Sequence, residues 1–100
     1  MNALDALGNP VRREILARLR AGPLSVGEIA ASFDVSRPAI SRHLRVLKSA
    51  GLVAQATPGT RGPYAIRRDG FEEARAFLAQ FWDDALERYH ALAVDEAERR

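Results

Sequence analysis

Cysteine is absent from the 100 residues of this chain. Its absence excludes disulfides, thiolate metal sites, cysteine nucleophiles and thiol-based redox sensing. Long apolar runs are also missing, because no segment approaches the roughly 18 residues that a membrane-spanning helix requires. The segment from Met1 to Asp5 lacks the basic and apolar parts of a signal peptide, so we expect a cytoplasmic location.

Motifs for catalysis are scarce as well. The chain has two histidines, no glycine-rich phosphate loop, and no carboxylate pair or Ser/His/Asp set in a recognisable context. We therefore expect neither enzymatic activity nor a cofactor. An RNA-binding surface is disfavoured, because no aromatic stacking platform on a sheet is apparent.

The composition is that of one folded domain, residues 1–100. Apolar residues make up 47% and charged residues 28%, a balance typical of globular rather than disordered chains. A chain this short buries only about 60–70% of its surface by itself. A permanent partner would therefore help, and a second copy of the chain is the simplest one.

Charge is divided unevenly along the chain. Residues 1–68 carry eleven basic and four acidic side chains, whereas residues 69–100 carry four basic and nine acidic ones. The net charge of +2 conceals this asymmetry. Either one face meets a polyanion while the acidic part stays away from it, or the acids form an ordinary solvated helix face.

Capping signals predict two helices in the first 22 residues. A short helix over about 3–7 ends at Gly8. Asn9 then caps a second helix, with Pro10 at the first helical position, where its missing N–H costs nothing. Gly22 and Pro23 end this second helix.

Two further helices follow at close spacing. Ser25 and Glu28 form the S-x-x-E pattern of a capping box, which predicts a short third helix over about 26–33. Ser36 is the N-cap of a fourth helix, which runs to Ala50. Gly51 is the expected left-handed residue after that helix.

The pattern then changes from helix to strand. Residues 52–57 and 64–66 predict two short strands joined by a loop rich in glycine and proline. Asp69 and Glu72 resemble another capped helix start, and an apolar helical pattern continues to about residue 93 or beyond. The predicted fold is mainly α with a small β-hairpin, in the order α-α-α-α-β-β-α. Its segments are 1–20 (N-terminal helices), 24–50 (helix-turn-helix), 52–66 (wing) and 69–95 (C-terminal helix).

The helix-turn-helix and the wing together predict a winged DNA-binding unit. On a helical wheel Ile40, Leu44 and Leu47 form the buried stripe of the fourth helix. Basic and hydroxyl side chains lie opposite or beside this stripe, where they could reach phosphates and base edges in the major groove. The predicted DNA-binding residues are Ser36, Arg37, Pro38, Ser41, Arg42, His43, Arg45, Lys48 and, on the wing, Arg61.

Roles can be suggested for several of these residues. Arg42 and Arg45 are candidates for guanine or phosphate contacts, Ser41 could donate to either, and Pro38 could touch a thymine methyl. His43 lies at the edge of the buried stripe, so DNA contact and packing both remain open.

Four segments resemble the ArsR (SmtB/ArsR) family of bacterial transcription regulators. They are LGNPVRREIL (7–16), LSVGEIA (24–30), VSRPAISRHLRVL (35–47) and AGLV (50–53). The resemblance implies a winged-helix homodimer that binds operator DNA and usually represses transcription. The segment FDVSRP (33–38) and the aromatic last helix are most similar to the cysteine-free, non-metal-sensing branch of small autorepressors.

The chain departs from the family pattern in two places. Wings in the family usually carry several basic residues, whereas Arg61 is the only charge at the tip of this one. Metal-sensing members place D-x-H and H-x-x-E on the last helix. Here the residue two positions after Asp83 is Ala85 and not histidine, and the residue three positions after His90 is Ala93 and not glutamate, so we expect no metal site.

The apolar positions of the last helix cover roughly 180° of its wheel, more than the ~100° that packing on one core requires. A second copy of the helix would cover the excess and place two recognition helices about 34–36 Å apart, which predicts a palindromic site. An ordinary core, or a ligand pocket at Trp82 and Tyr89, are the alternatives. The predicted dimer interface consists of Leu4, Leu7, Phe77, Leu78, Phe81, Trp82, Ala85 and Tyr89.

Together with this family resemblance, which alone favours a repressor over an activator, the sequence predicts a homodimeric transcriptional repressor that binds double-stranded operator DNA. The alternatives are a winged helix that only binds proteins, and a ligand- or metal-responsive sensor of the same family. No small-molecule effector can be named from the residues.

Overall fold

Five helices and one β-hairpin appear in the computed structural model, which describes residues 2–56 and 62–99. Their order, α-α-α-α-β-β-α, is the predicted one. The elements are α1 (Ala3–Ala6), α2 (Pro10–Leu19), α3 (Val26–Ala30), α4 (Arg37–Ser49), β1 (Val53–Gln55), β2 (Tyr64–Ile66) and α5 (Arg68–Glu98).

Short polar side chains begin α2, α3 and α4, as predicted. The Asn9 side-chain oxygen accepts hydrogen bonds from the first-turn amides of α2, where Pro10 is the first residue. In the capping box of α3, the Ser25 amide donates to the Glu28 carboxylate at 3.0 Å and the Glu28 amide donates to the Ser25 hydroxyl at 3.1 Å. The Ser36 hydroxyl accepts from the Ala39 amide at 3.3 Å at the start of α4. These bonds satisfy amides that have no partner inside their own helices.

The end of α4 is a left-handed glycine turn. Gly51 has φ +79°, and its amide donates to the Lys48 carbonyl at 3.0 Å. The Leu52 amide donates to the Leu47 carbonyl at 3.0 Å, and both leucine side chains are fully buried. This pair of backbone bonds is the Schellman arrangement, and it turns the chain from α4 directly into the hairpin.

Helix α3 is shorter than predicted, because it ends at Ala30 rather than near Phe33. The Ser32 hydroxyl donates to the Ile29 carbonyl at 3.0 Å, and the Phe33 amide bonds to the Ala30 carbonyl three residues back. A serine that bonds to the local backbone competes with the α-helical ladder. Phe33 nevertheless packs against the core, as predicted.

Two boundaries near the hairpin were also predicted wrongly. The first strand begins at Val53, because the amide of Leu52 is used in the turn that ends α4. Helix α5 begins at Arg68, and its N-cap is Arg67 rather than Asp69. Asp69 lies in the first turn and accepts a hydrogen bond from the Arg67 guanidinium at 2.6 Å.

The hairpin is antiparallel and is attached to the start of the helix-turn-helix. Val53 pairs with Ile66, and Gln55 pairs with Tyr64. Leu24 exchanges two backbone hydrogen bonds with Tyr64, at 2.8 and 3.0 Å. The segment that precedes α3 therefore anchors the wing to the domain.

The hydrophobic core lies among α2, α3, α4 and the hairpin. The predicted buried stripe of α4 is confirmed, since Ile40, Leu44 and Leu47 have no solvent exposure. The largest fully buried side chains are Ile15, Ile29, Ile40, Leu44, Leu47, Leu52 and Val53.

Helix α5 projects beyond this core. Its 31 residues span about 46 Å at 1.5 Å per residue, yet Ala74 is its only buried residue among those described. From residue 80 to residue 99 every described residue is exposed. No helix within the described ranges combines the length and apolar character needed to span a membrane.

Candidate nucleic-acid interface

Helix α4 has an apolar face in the core and a basic face in solvent. Ile40, Leu44 and Leu47 hold the helix against the domain, while Arg42 and Arg45 are exposed on the other side. The helix contains four basic residues and no acidic one. The packed face gives the exposed arginines a rigid base, so they can approach a polyanion without a change in the fold.

The N-terminal end of α4 presents three further predicted DNA-binding residues. Ser36, Arg37 and Pro38 are all exposed. The Arg37 guanidinium lies over α3, where a Cβ placed on Gly27 would be 3.6 Å from it. The first turn of α4 is thus exposed beside α3. The Ser36 hydroxyl in this turn already accepts a hydrogen bond as the N-cap.

The C-terminal end of α4 contacts the wing through a residue that the sequence analysis missed. Lys48 Nζ lies 3.5 Å from Gln55 Oε1, and Gln55 Nε2 donates to the Gly62 carbonyl at 3.3 Å. Gln55, the last residue of β1, therefore links the last turn of α4 to Gly62, which precedes β2. Its position in a short strand carried no signal of this role.

His43 lies between the two faces and is half-buried, as is Ser41. Burial lowers the pKa of His43, and the positive charges of Arg12 and Arg42 lower it further. Arg12 was not among the predicted site residues. Its guanidinium donates to the Ala6 carbonyl at 2.7 Å and so joins α2 to the end of α1 beside the basic surface.

The predicted contact at Arg61 lies outside the described residues. The other predicted DNA-binding residues all lie on α4 or at its N-cap. In residues 2–56 and 62–99, no group of three or more His, Asp or Glu side chains is placed to hold a metal ion.

Most of the predicted dimer residues lie on the projecting part of α5 and are exposed. Phe81, Trp82 and Tyr89 have exposed fractions of 71%, 63% and 72%. Within one copy of the chain, the alternative that they form an ordinary core is therefore wrong. Leu7 is half-buried and lines a groove of about 360 Å³ beside α5, which Phe71 and Trp82 also line.

A basic helix seated on α3, with a hairpin fixed at its side, defines a winged helix-turn-helix. Comparison with known proteins agrees with this class. The helix-turn-helix domain family matches residues 7–56. The HTH-type transcriptional regulator Rv2034 of Mycobacterium tuberculosis is 45% identical over 96 residues, which cover 96% of this chain and 90% of the relative.

Solved structures give the same result. The crystal structure of the ArsR family transcriptional regulator RHA00566 matches with a TM-score of 0.71 and 32% identity, covering 80% of this chain and 88% of that one. Mb0332 from Mycobacterium bovis, a possible ArsR-family regulator, matches with a TM-score of 0.61 and 33% identity, covering 84% and 78%. Its solution structure is described as a homodimeric winged helix-turn-helix DNA-binding domain. The present chain belongs to the ArsR family of helix-turn-helix transcriptional regulators.

Proposed function

We propose that this protein is a transcriptional repressor that binds a palindromic DNA operator as a homodimer. The observation that carries the proposal is the face of α4 that is exposed, basic and free of acids, on a helix whose other face is fully packed. A small protein without a catalytic set represses most simply by occupying the promoter. The proposal therefore needs no enzymatic step and no cofactor.

In the proposed complex α4 enters the major groove. Arg42 and Arg45 contact guanine edges or phosphates, and Ser41 donates to either. Pro38 touches a thymine methyl, and Lys48 contacts a phosphate beside the wing. The remaining proposed DNA-binding residues are Ser36, Arg37, His43 and, on the wing, Arg61.

The proposed dimer is supported by the surface of α5. Large aromatic side chains are exposed along its projecting half, and burying them against a second copy removes apolar area from water. The homodimer described for Mb0332 supports the same assembly. We assign to the interface Leu4, Leu7, Phe77, Leu78, Phe81, Trp82, Ala85 and Tyr89.

In the proposed assembly, residues 1–100 form one domain that works in the cytoplasm. The N-terminal helices (1–20) and the wing (52–66) support the helix-turn-helix (24–50), and the C-terminal helix (69–95) carries dimerisation. The acidic charge of residues 69–100 then stays away from DNA, while the basic part of the chain meets it.

Selection from a random duplex library at about 150 mM salt, followed by fluorescence anisotropy, tests DNA recognition. We expect enrichment of one palindromic sequence, and tight binding to it that scrambled duplex does not displace. A double variant, Arg42→Ala with Arg45→Ala, should lose this binding, whereas Arg88→Ala on α5 should keep it. Equal, weak binding to every duplex would instead indicate a winged helix that recognises protein.

The assembly is tested separately by sedimentation. Phe81→Asp places a charge in the proposed interface and should yield monomers. Gln80→Asp, one residue away on the polar side of α5, should remain dimeric. If both variants sediment as dimers, the interface lies on another face.

A further inference from the structure

The charges at the two ends of α5 are arranged against the dipole of the helix. Arg67 and Arg68 lie at its N-terminus, where the helix carries a partial positive charge, and Asp95 and Glu96 lie near its C-terminus. The last turn contains no basic residue, and the C-cap residue that follows it, Arg99, pairs with Asp95 at 3.0 Å. Asp69 offsets Arg67 in the same way at the N-terminus, whereas Arg68 and Glu96 have no ion-pair partner among the described residues.

Ten apolar positions of α5, which include most of its large side chains, are symmetric about the point between Phe81 and Trp82, whereas Val94 mirrors Asp69. Counting outwards from that point, Leu78 mirrors Ala85 and Phe71 mirrors Leu92. The full mirrored set is Phe71, Ala74, Phe77, Leu78, Phe81, Trp82, Ala85, Leu86, Tyr89 and Leu92. Two copies of α5 that run antiparallel about this point bring each member opposite its mirror, so that a large side chain meets a small one at Leu78 and Ala85.

The surface beside α5 has a groove that can take apolar side chains from such a partner helix. The groove of about 360 Å³ runs between α1 and α5, and Leu7, Phe71, Leu78 and Trp82 line it. Residues 80–99 lie beyond the domain and are exposed. A partner helix centred at Trp82 therefore lays its residues beyond 85 along this groove.

We propose that Glu96 of the partner subunit pairs with Arg67 and Arg68. This contact forms once at each end of the α5 pair, and the two copies together fix the register of the dimer. The inference rests on the proposed homodimer. The same mirror that aligns the apolar residues places position 96 opposite position 67. On the helical wheel Glu96 lies within about 60° of the Phe71–Leu78 line, at 100° per residue, while Arg67 is the N-cap that directly precedes the helix. Each acid then lies at the positive end of the partner's helix, where the dipole favours it.

The local ion pairs leave room for this contact. Arg67 and Asp69 are both exposed, and Arg67 donates to the Asp69 carboxylate through Nε and one terminal nitrogen. Because a guanidinium has five N–H donors, Arg67 keeps donors for a second carboxylate. Arg68 makes no ion pair with any residue in the described ranges. The mirror also brings Arg75 towards Arg88 of the partner subunit, but Arg75 pairs with Glu72 at 3.1 Å.

Disulfide trapping tests the register, because the chain has no cysteine of its own. In the double variant Arg67→Cys with Glu96→Cys, the two thiols of one chain lie about 43 Å apart along α5, so a bond between them must join two copies. We expect a covalent dimer whose peptide map contains the 67–96 link. The matched control, Arg67→Cys with Glu98→Cys, places the second thiol on the opposite side of α5, away from the proposed interface, and should not link. A 67–98 link without a 67–96 link would overturn the proposed register.

Charge reversal tests the pairing itself. Because the contact occurs twice in the dimer, Glu96→Arg should raise the dimer Kd about tenfold at low salt. Adding Arg67→Glu and Arg68→Glu to that variant should restore the Kd. Glu98→Arg, on the opposite side of α5, should leave it unchanged. If Glu96→Arg and Glu98→Arg behave alike while the unaltered protein is dimeric and binds its operator, the pairing is wrong and the proposed function stands. A monomeric unaltered protein would overturn both.

Discussion

The backbone of Gly70 lies directly against the carbonyl of Gly51, so closely that a Cβ on Gly70 would overlap the carbonyl oxygen. Gly70 is in the first turn of α5, and Gly51 is the left-handed residue that ends α4, with φ +79°. The helix proposed to dimerise and the helix proposed to read DNA are thus joined by backbone packing, with no side chain between them. Two glycines serve this junction, one for its conformation and one for its lack of a side chain.

Gly70→Ala should therefore destabilise the fold. The added methyl group must displace the Gly51 turn, and overpacking of this kind costs about 1–3 kcal/mol. Chemical denaturation of the variant measures the loss. Gly27→Ala is the matched control, since its Cβ would lie 3.6 Å from the Arg37 guanidinium, an ordinary contact. Equal free energies of unfolding for the two variants would mean that the Gly51 turn moves aside at little cost.

The capping box of α3 should make stability depend on pH in the acid range. Hydrogen bonds from the Ser25 amide and hydroxyl lower the pKa of Glu28 below its ordinary value. The stabilisation is therefore present above about pH 4.3, the usual pKa of glutamate, and is lost as pH falls through the lowered value. Glu28→Gln keeps an acceptor without the charge. The free energy of unfolding of this variant, measured by urea denaturation across the acid range, should therefore vary less with pH than that of the unaltered protein.

Ser25→Ala removes the other half of the capping box. The Glu28 amide then loses the acceptor that lies 3.1 Å away, and the loss of an N-cap costs about 1 kcal/mol. Urea denaturation at neutral pH measures the change. An unchanged midpoint would show that water replaces the hydroxyl at no cost.

Arg42 and Lys48 should differ in what they contribute to DNA binding. Arg42→Ala should weaken binding to the operator by roughly 1–3 kcal/mol and relax the preference for one base pair, because a bidentate guanine contact is lost. Lys48→Ala should weaken all duplexes alike, because a phosphate contact carries no sequence information. Competition anisotropy with single-base operator variants separates the two. An Arg42→Ala protein with unchanged specificity would remove Arg42 from the base-reading set.

His43 should couple DNA binding to pH. Burial, with Arg12 and Arg42 nearby, lowers its pKa, so the free protein carries His43 neutral at pH 7. A DNA phosphate close to the ring favours the protonated form, so binding takes up a proton and the Kd should fall from pH 8 to pH 6. His43→Gln should flatten this dependence, whereas His90→Gln on α5 should retain it. Identical pH profiles for the two variants would identify His43 as a packing residue.

Much of this fold was predictable because the signals are local. Asn9, Ser25 and Ser36 cap helices through bonds to amides two or three residues away, and Gly51 supplies a conformation that few other residues adopt. The apolar stripe of α4 follows from helical periodicity alone. Element type and order, and the basic face of α4, therefore needed no tertiary information.

The boundaries of the helices and strands were harder to predict from the sequence, because they depend on hydrogen bonds between backbone groups that are distant in the chain. Asp69 looked like a cap, but the Arg67 amide donates to the Leu52 carbonyl at 2.9 Å, which holds the chain extended up to Arg67. Gln55 gave no sign that it joins α4 to the wing, because its partners Lys48 and Gly62 are each seven residues away. Contacts of this kind form only when the chain has folded.

The order of the helices, the caps of α2, α3 and α4, and the basic face of α4 followed from the sequence, since each depends on residues within one or two turns of one another. Which part of the wide apolar face of α5 the domain covers depends instead on tertiary packing. Ala74 is buried by its own domain, while Phe81 and Tyr89 lie in solvent. Periodicity defines the faces of a helix, but the extent of the domain packed against the helix determines which of those faces stay exposed to a partner.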